Sequence, residues 1–322
     1  MTAGLDPILR LDGQALAVVA AEQRREFVRY LRDGPPSSVR RILGRDGVGD
    51  PRISVIIPTA DGNRGGYLPA LLAQLTRQTF QRFEVIVVEG DRRQGRAINT
   101  AAAIARGDLL VTMDDDTRIG HDNLLERILP AFDADPAIGI AGAANLVPRD
   151  APWLVRRAMR ELPRRSSRLV REITDSDMAE HPCLAIRKDI FYRIGGEHEW
   201  IPRGLDPYLR REVRRFGYRV VLVPDAWIHH LLPPTLRGIL RQYHRNGQQA
   251  AYVQKFFPQF VIDQALDHAV APSEESGARR RFWRYGARML GALASGRCIY
   301  AGTLLTYAVG YAQGLRAKEQ TP

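Results

Sequence analysis

Short apolar runs recur along the middle of the chain, and amphipathic stretches fill the intervals between them. The runs lie at 53–57, closed by Pro58, then at 83–88, 109–113 and 138–143. Runs this short, without strict alternation, belong to strands covered on both faces. The intervals carry helical spacing at 67–78, 95–106 and 121–133. Strands alternating with helices predict a parallel sheet wrapped on both sides. Ligands of such sheets bind beyond the carboxyl ends of the strands. Chemistry is therefore expected just after Ile57, Val88 and Met113.

The flanks read differently. Leu16, Val19, Gln23, Phe27, Tyr30 and Leu31 fall near helical spacing and predict an amphipathic helix over 14–32. Gly, Pro, Ser and Arg at 33–52 read as a linker. Further on, the pattern predicts a strand at 184–186, a short helix at 188–194 closed by Gly195-Gly196, and a helix at 206–216 stopped by Gly217. Strands follow at 218–223 and 226–228. After Pro233-Pro234 it turns helical, over 235–256, 259–270, 279–295 and 298–316. Three regions result: 1–51, 52–232 and 233–322.

Four constellations carry candidate chemistry. Asp114-Asp115-Asp116 stands directly after an apolar run, where three carboxylates repel one another unless a cation or donors neutralise them. Magnesium or manganese would take carboxylate and phosphate oxygens together. The plainer alternative is a solvated acidic turn. Asp206, after Arg203-Gly204-Leu205 and before Pro207, is either a helix cap or a general base held at a rigid helix start. His229-His230 follows a short strand and is either a surface pair or part of a metal shell. Gly95-Arg96 opens an Ala-rich helix whose N-terminus and guanidinium suit a phosphate. No P-loop, GxGxxG after a strand, HExxH or GxSxG is present, which argues against the common NTPases, dinucleotide enzymes, zincins and serine hydrolases.

Charge adds a partner class. The 322 residues carry a formal net charge of +11, from 47 basic and 36 acidic side chains, and only Lys188, Lys255 and Lys318 among the cations are lysine. Arginine forks onto phosphates and carboxylates, and the excess suits an anionic partner: nucleic acid, a phosphorylated ligand or anionic lipid. From Pro233 onward 12 basic residues face 5 acidic ones, so much of the excess is C-terminal. Cys183 and Cys298 are too few for a disulfide scaffold or zinc cluster, and a reducing compartment is expected. The opening residues lack the basic start and apolar core of a signal peptide.

Taken in order, these motifs resemble family-2 glycosyltransferases. Ile53-Ser54-Val55-Ile56-Ile57-Pro58-Thr59 looks like their opening strand, and 83–89 like the second strand with its acidic end. Ala105-Arg106-Gly107-Asp108 and the run to Asp116 resemble the "ARGD…DxD" stretch. The segment 184–196 resembles the acceptor side, Gly204-Leu205-Asp206 the "GED" turn, and Gly217-Tyr218-Arg219 with Pro224-Asp225-Ala226 the "GYR…PDA" strand that leads to a metal-binding histidine. The likeness covers about 52–232. It implies an α/β, GT-A nucleotide-diphospho-sugar transferase fold, a Rossmann-like mixed sheet, here with an N-terminal helix and a C-terminal helical extension.

The resemblance also implies roles. Asp116 would hold a divalent metal, Mg2+ or Mn2+, with Asp114 facing the ribose or the metal shell and Asp115 beside the nucleotide sugar. His230 fits the metal position, with His229 as the alternative. Pro58, Thr59 and Glu89 would line the nucleotide pocket, with Arg96 nearby. Asp206 would take the proton of the acceptor hydroxyl, giving inversion at the anomeric carbon. Departures are Glu89-Gly90-Asp91-Arg92 in place of "DDGS" and Leu205 in place of the first acid of "GED". Gln242-Tyr243-His244-Arg245-Asn246 lacks the Trp of "QxxRW", which argues for addition of single sugars.

The C-terminal part interleaves Arg279-Arg280-Arg281-Phe282-Trp283-Arg284-Tyr285 and then runs uncharged over 298–315. It reads as a marginal single span, an interfacial helix, or a buried helical hairpin. Expected partners are thus a nucleotide-diphosphate sugar, a glycan or lipid-linked acceptor, and the cytoplasmic face of the cell membrane. Nucleic acid binding through the arginines, or a sugar nucleotidyltransferase echoed by Gly62, Arg64, Gly65 and Gly66, are the alternatives.

Overall fold

The computed structural model describes residues 38–43, 50–261 and 278–318. The helix expected over 14–32 lies outside these residues, as do positions 262–270 of the one expected over 259–270. The described chain divides into two units. The first comprises residues up to Leu146, Ser167–Trp200 and Leu205–His230; the second comprises Val147–Ser166, Ile201–Gly204 and Leu231 onward.

In the first unit every apolar run becomes a buried strand: β2 (Ile53–Thr59), β3 (Phe83–Glu89), β4 (Leu109–Thr112) and β6 (Ile138–Asn145). Helices fill the intervals: α1 (Tyr67–Leu75), α2 (Gln94–Ile104) and α3 (Leu124–Ala134). Further strands are β1 (Ser38–Leu43), β5 (Arg118–Ile119), β7 (Thr174–Asp175), β8 (Leu184–Arg187) and β9 (Arg219–His229). The sheet order is β1-β3-β2-β4-β8-β6-β9-β5, with β7 on β9.

Alternate residues of each strand feed two cores. On one face Val55, Ile57, Val85 and Val111 meet Leu68 and Leu71 of α1 and Ile128 of α3. On the other, Ile56, Ile86 and Leu110 meet Ala97 and Ala101 of α2, together with Phe191 of α5 (Lys188–Arg193) and Leu209 of α6 (Leu205–Arg215). Small alanines let α2 lie close to the sheet.

The sheet is mixed rather than parallel. β2 runs parallel to β3 and β4, and β6 parallel to β9, but β8 is antiparallel to both β4 and β6. Alternation of strand and helix cannot report this, because β8 enters after a long excursion and pairs by geometry alone. Two local expectations also change. Residues 38–43, within the stretch read as linker, form β1, antiparallel to β3. The strands expected at 218–223 and 226–228 are one strand, β9, with Asp225 at φ 51° and a register shift against β6. A bulge absorbs the irregularity without ending the ladder.

In the second unit α4 (Trp153–Glu161), α7 (Leu236–Phe256) and α9 (Cys298–Gly314) assemble around Val155, Ala158, Met159, Ile239 and Ile299, and α8 (Ala278–Ala294) packs against α9. The start of α9 is capped by Glu161, whose Oε2 accepts the N–H groups of Ile299 at 2.8 Å and Tyr300 at 3.1 Å. A carboxylate suits the positive end of a helix. Helices α7 and α9 meet at glycines: a Cβ on Gly310 would run into the carbonyl oxygen of His244. Among the described residues no helix is long and apolar enough to cross a membrane. The segment weighed as a single span over 298–315 forms α9, which is 17 residues long.

Candidate active site

The carboxyl ends of β2, β3 and β4 converge, as the sequence predicts for ligand chemistry in an α/β sheet. β4 ends at Thr112, so Asp114, Asp115 and Asp116 lie on the loop that follows. β9 delivers His230 to the same place. Its Nε2 lies 3.2 Å from Oδ1 of Asp116 and 3.7 Å from Oδ2 of Asp114. One ligand atom from each of Asp114, Asp116 and His230 lies within 4.8 Å of the others. Two carboxylates and an imidazole are a donor set for a divalent cation, and the residues present fit one.

Their protonation differs sharply. Burial pushes Asp114 up to about 6, against the pull of His230. Burial also works to raise Asp116, but hydrogen bonding and charge from His230, then Arg64, outweigh it and hold that carboxyl well below the usual range. Arg64 sits in the turn after β2 at φ 49°. Its guanidinium donates to Oδ2 of Asp116 at 2.9 and 3.2 Å and lies 3.3 Å from Oδ1 of Asp115. Gln94 donates to Oδ1 of Asp114 at 3.0 Å. Burial raises Asp115, which Thr59 and Arg64 oppose.

Asp206 stands at the start of α6, behind Gly204 at φ 90°. Its Oδ1 accepts two hydrogen bonds from one residue: the backbone N–H of His181 at 2.7 Å and the ring Nδ1 at 2.5 Å. The other ring nitrogen of His181 meets Oε1 of Glu197 at 2.8 Å. Burial opposes charge on the imidazole, but the carboxylates of Asp206 and Glu197 prevail and hold His181 well above its ordinary value. Burial likewise works to raise Asp206; the His181 charge and hydrogen bonds, with Arg210 behind them, keep its carboxyl below the usual range.

The remaining expected residues fall as follows. Thr59 ends β2 and its hydroxyl accepts the Gly62 N–H at 3.2 Å; Pro58 precedes it, paired in register with Val88. Glu89 ends β3, 3.2 Å from Arg40. Arg96 is held in a bidentate pair by Asp91 at 2.7 and 3.0 Å. The guanidinium that meets the acidic cluster is instead that of Arg64. Gly95 serves close packing, since a Cβ there would strike the His198 carbonyl oxygen. His229 points elsewhere than His230: its Nδ1–H donates to the Leu146 carbonyl at 2.7 Å. Successive strand residues face opposite ways, which separates the two histidines.

Residues 89–195 match the family model for glycosyl transferase family 2. That segment is similar to glycosyltransferase family 2. An uncharacterized glycosyltransferase of Haemophilus influenzae is 25% identical over 170 residues, covering 45% of this chain and 55% of that protein. The matched segment thus spans about half the length of that relative. Among solved structures, the mannosyltransferase PcManGT from Pyrobaculum calidifontis, in complex with GDP-Man and Mn2+, superimposes with a TM-score of 0.54 at 17% identity, over 97% of this chain and all of the other (100%). A weaker likeness joins the chain to S. aureus TarS 1-349 in complex with UDP, at TM-score 0.43 and 14% identity, over 83% of this chain and 93% of that one. The fold is that of GT-A glycosyltransferases.

Three residues of the site escape sequence reasoning. His181 and Glu197 are distant from Asp206 in sequence and belong to no recognisable motif. Arg64 had a signal, a cation among glycines directly after the first parallel strand, but its target became visible only when β4 was placed beside β2.

Proposed function

We propose that the protein is a metal-dependent, inverting glycosyltransferase that moves a sugar from a nucleotide-diphosphate donor to a hydroxyl of a glycan or lipid-linked acceptor. The observation that carries this reading is the convergence of Asp114, Asp116 and His230 within 4.8 Å at the strand ends. A divalent ion held by these three residues would supply positive charge against the leaving diphosphate. Thr59 and Glu89, at the ends of β2 and β3, border the place a nucleotide would take. Arg64, already beside Asp115 and Asp116, is placed to meet phosphate oxygens.

Asp206 supplies the base. Its carboxylate is ionised, so it accepts the proton of the acceptor O–H as the acceptor oxygen bonds to the anomeric carbon. The bond from that carbon to the diphosphate breaks, and its electron pair leaves with the phosphate oxygen. Attack opposite the leaving group inverts the anomeric centre.

Work at the cytoplasmic membrane face is part of the proposal. It is supported by Leu290, Leu293, Leu305 and Val309, exposed on α8 and α9, and by exposed Arg288 on α8 and exposed Arg316 and Lys318 just after α9. Apolar side chains beside cations suit an anionic lipid surface.

The test is a panel of nucleotide sugars assayed for Mn2+-dependent turnover or hydrolysis, with Asp116→Asn as control. Turnover of one donor by the unaltered chain and none by the variant supports the reading. Failure of every donor, with Mn2+ present, rejects it.

A further inference from the structure

The residues around Asp206 go beyond what a helix cap needs. Glu197 follows the Gly195-Gly196 turn and is locked from both sides by Asn99 of α2. Asn99 accepts the Glu197 N–H at 2.8 Å and donates to the Glu197 carbonyl at 2.9 Å and to Glu199 at 2.9 Å. His181 is buried at 2% exposure and Glu197 at 0%. The backbone carbonyl of His181 accepts the Thr112 hydroxyl at 3.1 Å, which ties the histidine to β4, two residues ahead of Asp114. Both donors from His181 converge on Oδ1 of Asp206. Among the described residues, no hydrogen bond reaches Oδ2.

We infer that His181 and Glu197 are positioning residues for Asp206. Glu197 fixes the imidazole ring, and the ring with its own backbone N–H pins Oδ1 of Asp206, leaving Oδ2 for the acceptor hydroxyl. The inference rests on the reading of Asp206 as the base and adds to it how that base is oriented and kept ionised. A buried carboxyl without a cation would hold its proton, so a doubly anchored imidazolium answers a specific need. The logic parallels a carboxylate orienting a histidine in a catalytic triad, with the order of groups reversed toward a carboxylate base. The other charged groups facing this cluster are Asp114 and Arg210.

The first arm of the test needs no donor. In the full chain labelled with 15N-histidine, the His181 ring signals are assigned by their loss in His181→Asn. The expected result is a ring protonated on both nitrogens at neutral pH, with a midpoint well above the ordinary imidazole range. Glu197→Gln and Asp206→Asn should each lower that midpoint by about one unit or more. A neutral His181 ring at pH 7 in the unaltered chain overturns the inference. An unmoved midpoint in a folded Glu197→Gln overturns it too.

The second arm follows turnover of the donor that the panel identifies. His181→Asn keeps an amide donor near Oδ1 but removes the charge. The acid limb of kcat/KM should therefore move up by about one pH unit or more, with activity recovering at higher pH. A uniform loss at all pH values indicates a merely structural histidine and overturns the inference. Full turnover in Asp206→Asn overturns the base reading instead, whatever the histidine titration shows.

Discussion

Arg64 and Asp116 form a charge pair across 52 residues of sequence, with the guanidinium 2.9 and 3.2 Å from one carboxylate oxygen. The pair puts a cation beside the cluster where a divalent ion would bind. Removing it should help the ion and harm the phosphate. Arg64→Gln is expected to bind Mn2+ about three- to tenfold more tightly in the absence of nucleotide, the effect of one partly exposed charge. The same variant should bind a nucleoside diphosphate about tenfold more weakly. Calorimetry with each ligand checks both directions; weaker Mn2+ binding would show that Arg64 organises the site instead.

The two neighbouring histidines should separate in metal binding. His230→Gln removes a nitrogen 3.2 Å from Asp116 and is expected to weaken Mn2+ by about tenfold or more. His229→Gln removes a ring bonded to a carbonyl and should change that affinity less than about twofold. Electron paramagnetic resonance of free Mn2+ measures both. Chelation of the metal should abolish turnover of the unaltered chain, and Mn2+ should restore it.

His198 should make the protein acid-sensitive. Burial lowers its pKa to about 4, and its Nδ1 accepts the Trp200 N–H at 3.2 Å, which requires that nitrogen unprotonated. The unfolded chain binds the proton near ~6.5, the folded one only near 4. The contribution is therefore complete above the unfolded value and is lost as pH falls from about 6.5 toward 4. Its size is on the order of 3 kcal/mol. Urea unfolding at a series of pH values should show this slope, and His198→Asn should flatten it.

Glycine at the contact of α7 with α9 should be indispensable. Gly310→Ala places a methyl against the His244 carbonyl, so the helices must separate. A loss of about 2 kcal/mol or more is expected. Gly291, helical and with nothing within 4 Å of an added Cβ, is the control. Its change to alanine should stabilise by up to ~1 kcal/mol. Thermal denaturation of the two variants should move in opposite directions.

Local order was legible wherever one segment carried its own signal. The apolar runs at 53–57, 83–88, 109–113 and 138–143 all became strands, and the starts of α2, α6, α7 and α9 fell within one residue of expectation. Asp114-Asp115-Asp116 declared itself by its place after a strand. β1 stayed hidden because its sequence, SVRRIL, has no strict alternation and sets two adjacent arginines in a stretch dominated by Gly, Pro and Arg, and an edge strand gains its order from its neighbour. α4 stayed hidden within an arginine-rich run.

Sequence alone determined which chemical groups this protein has and the order in which the chain presents them: buried strands, a carboxylate triplet, an aspartate at a helix start, a histidine pair after a strand. It also determined where most elements begin, because capping, burial and turn formation act over a few residues. Only the tertiary structure decided which groups meet. The antiparallel insertion of β8, the choice of His230 over His229 beside Asp116, the turn of Arg64 toward the acidic cluster while Asp91 holds Arg96, and the Glu197–His181–Asp206 chain are all contacts between distant segments. Such contacts depend on how strands register and how helices pack, and no local pattern of hydrophobic and polar residues encodes that.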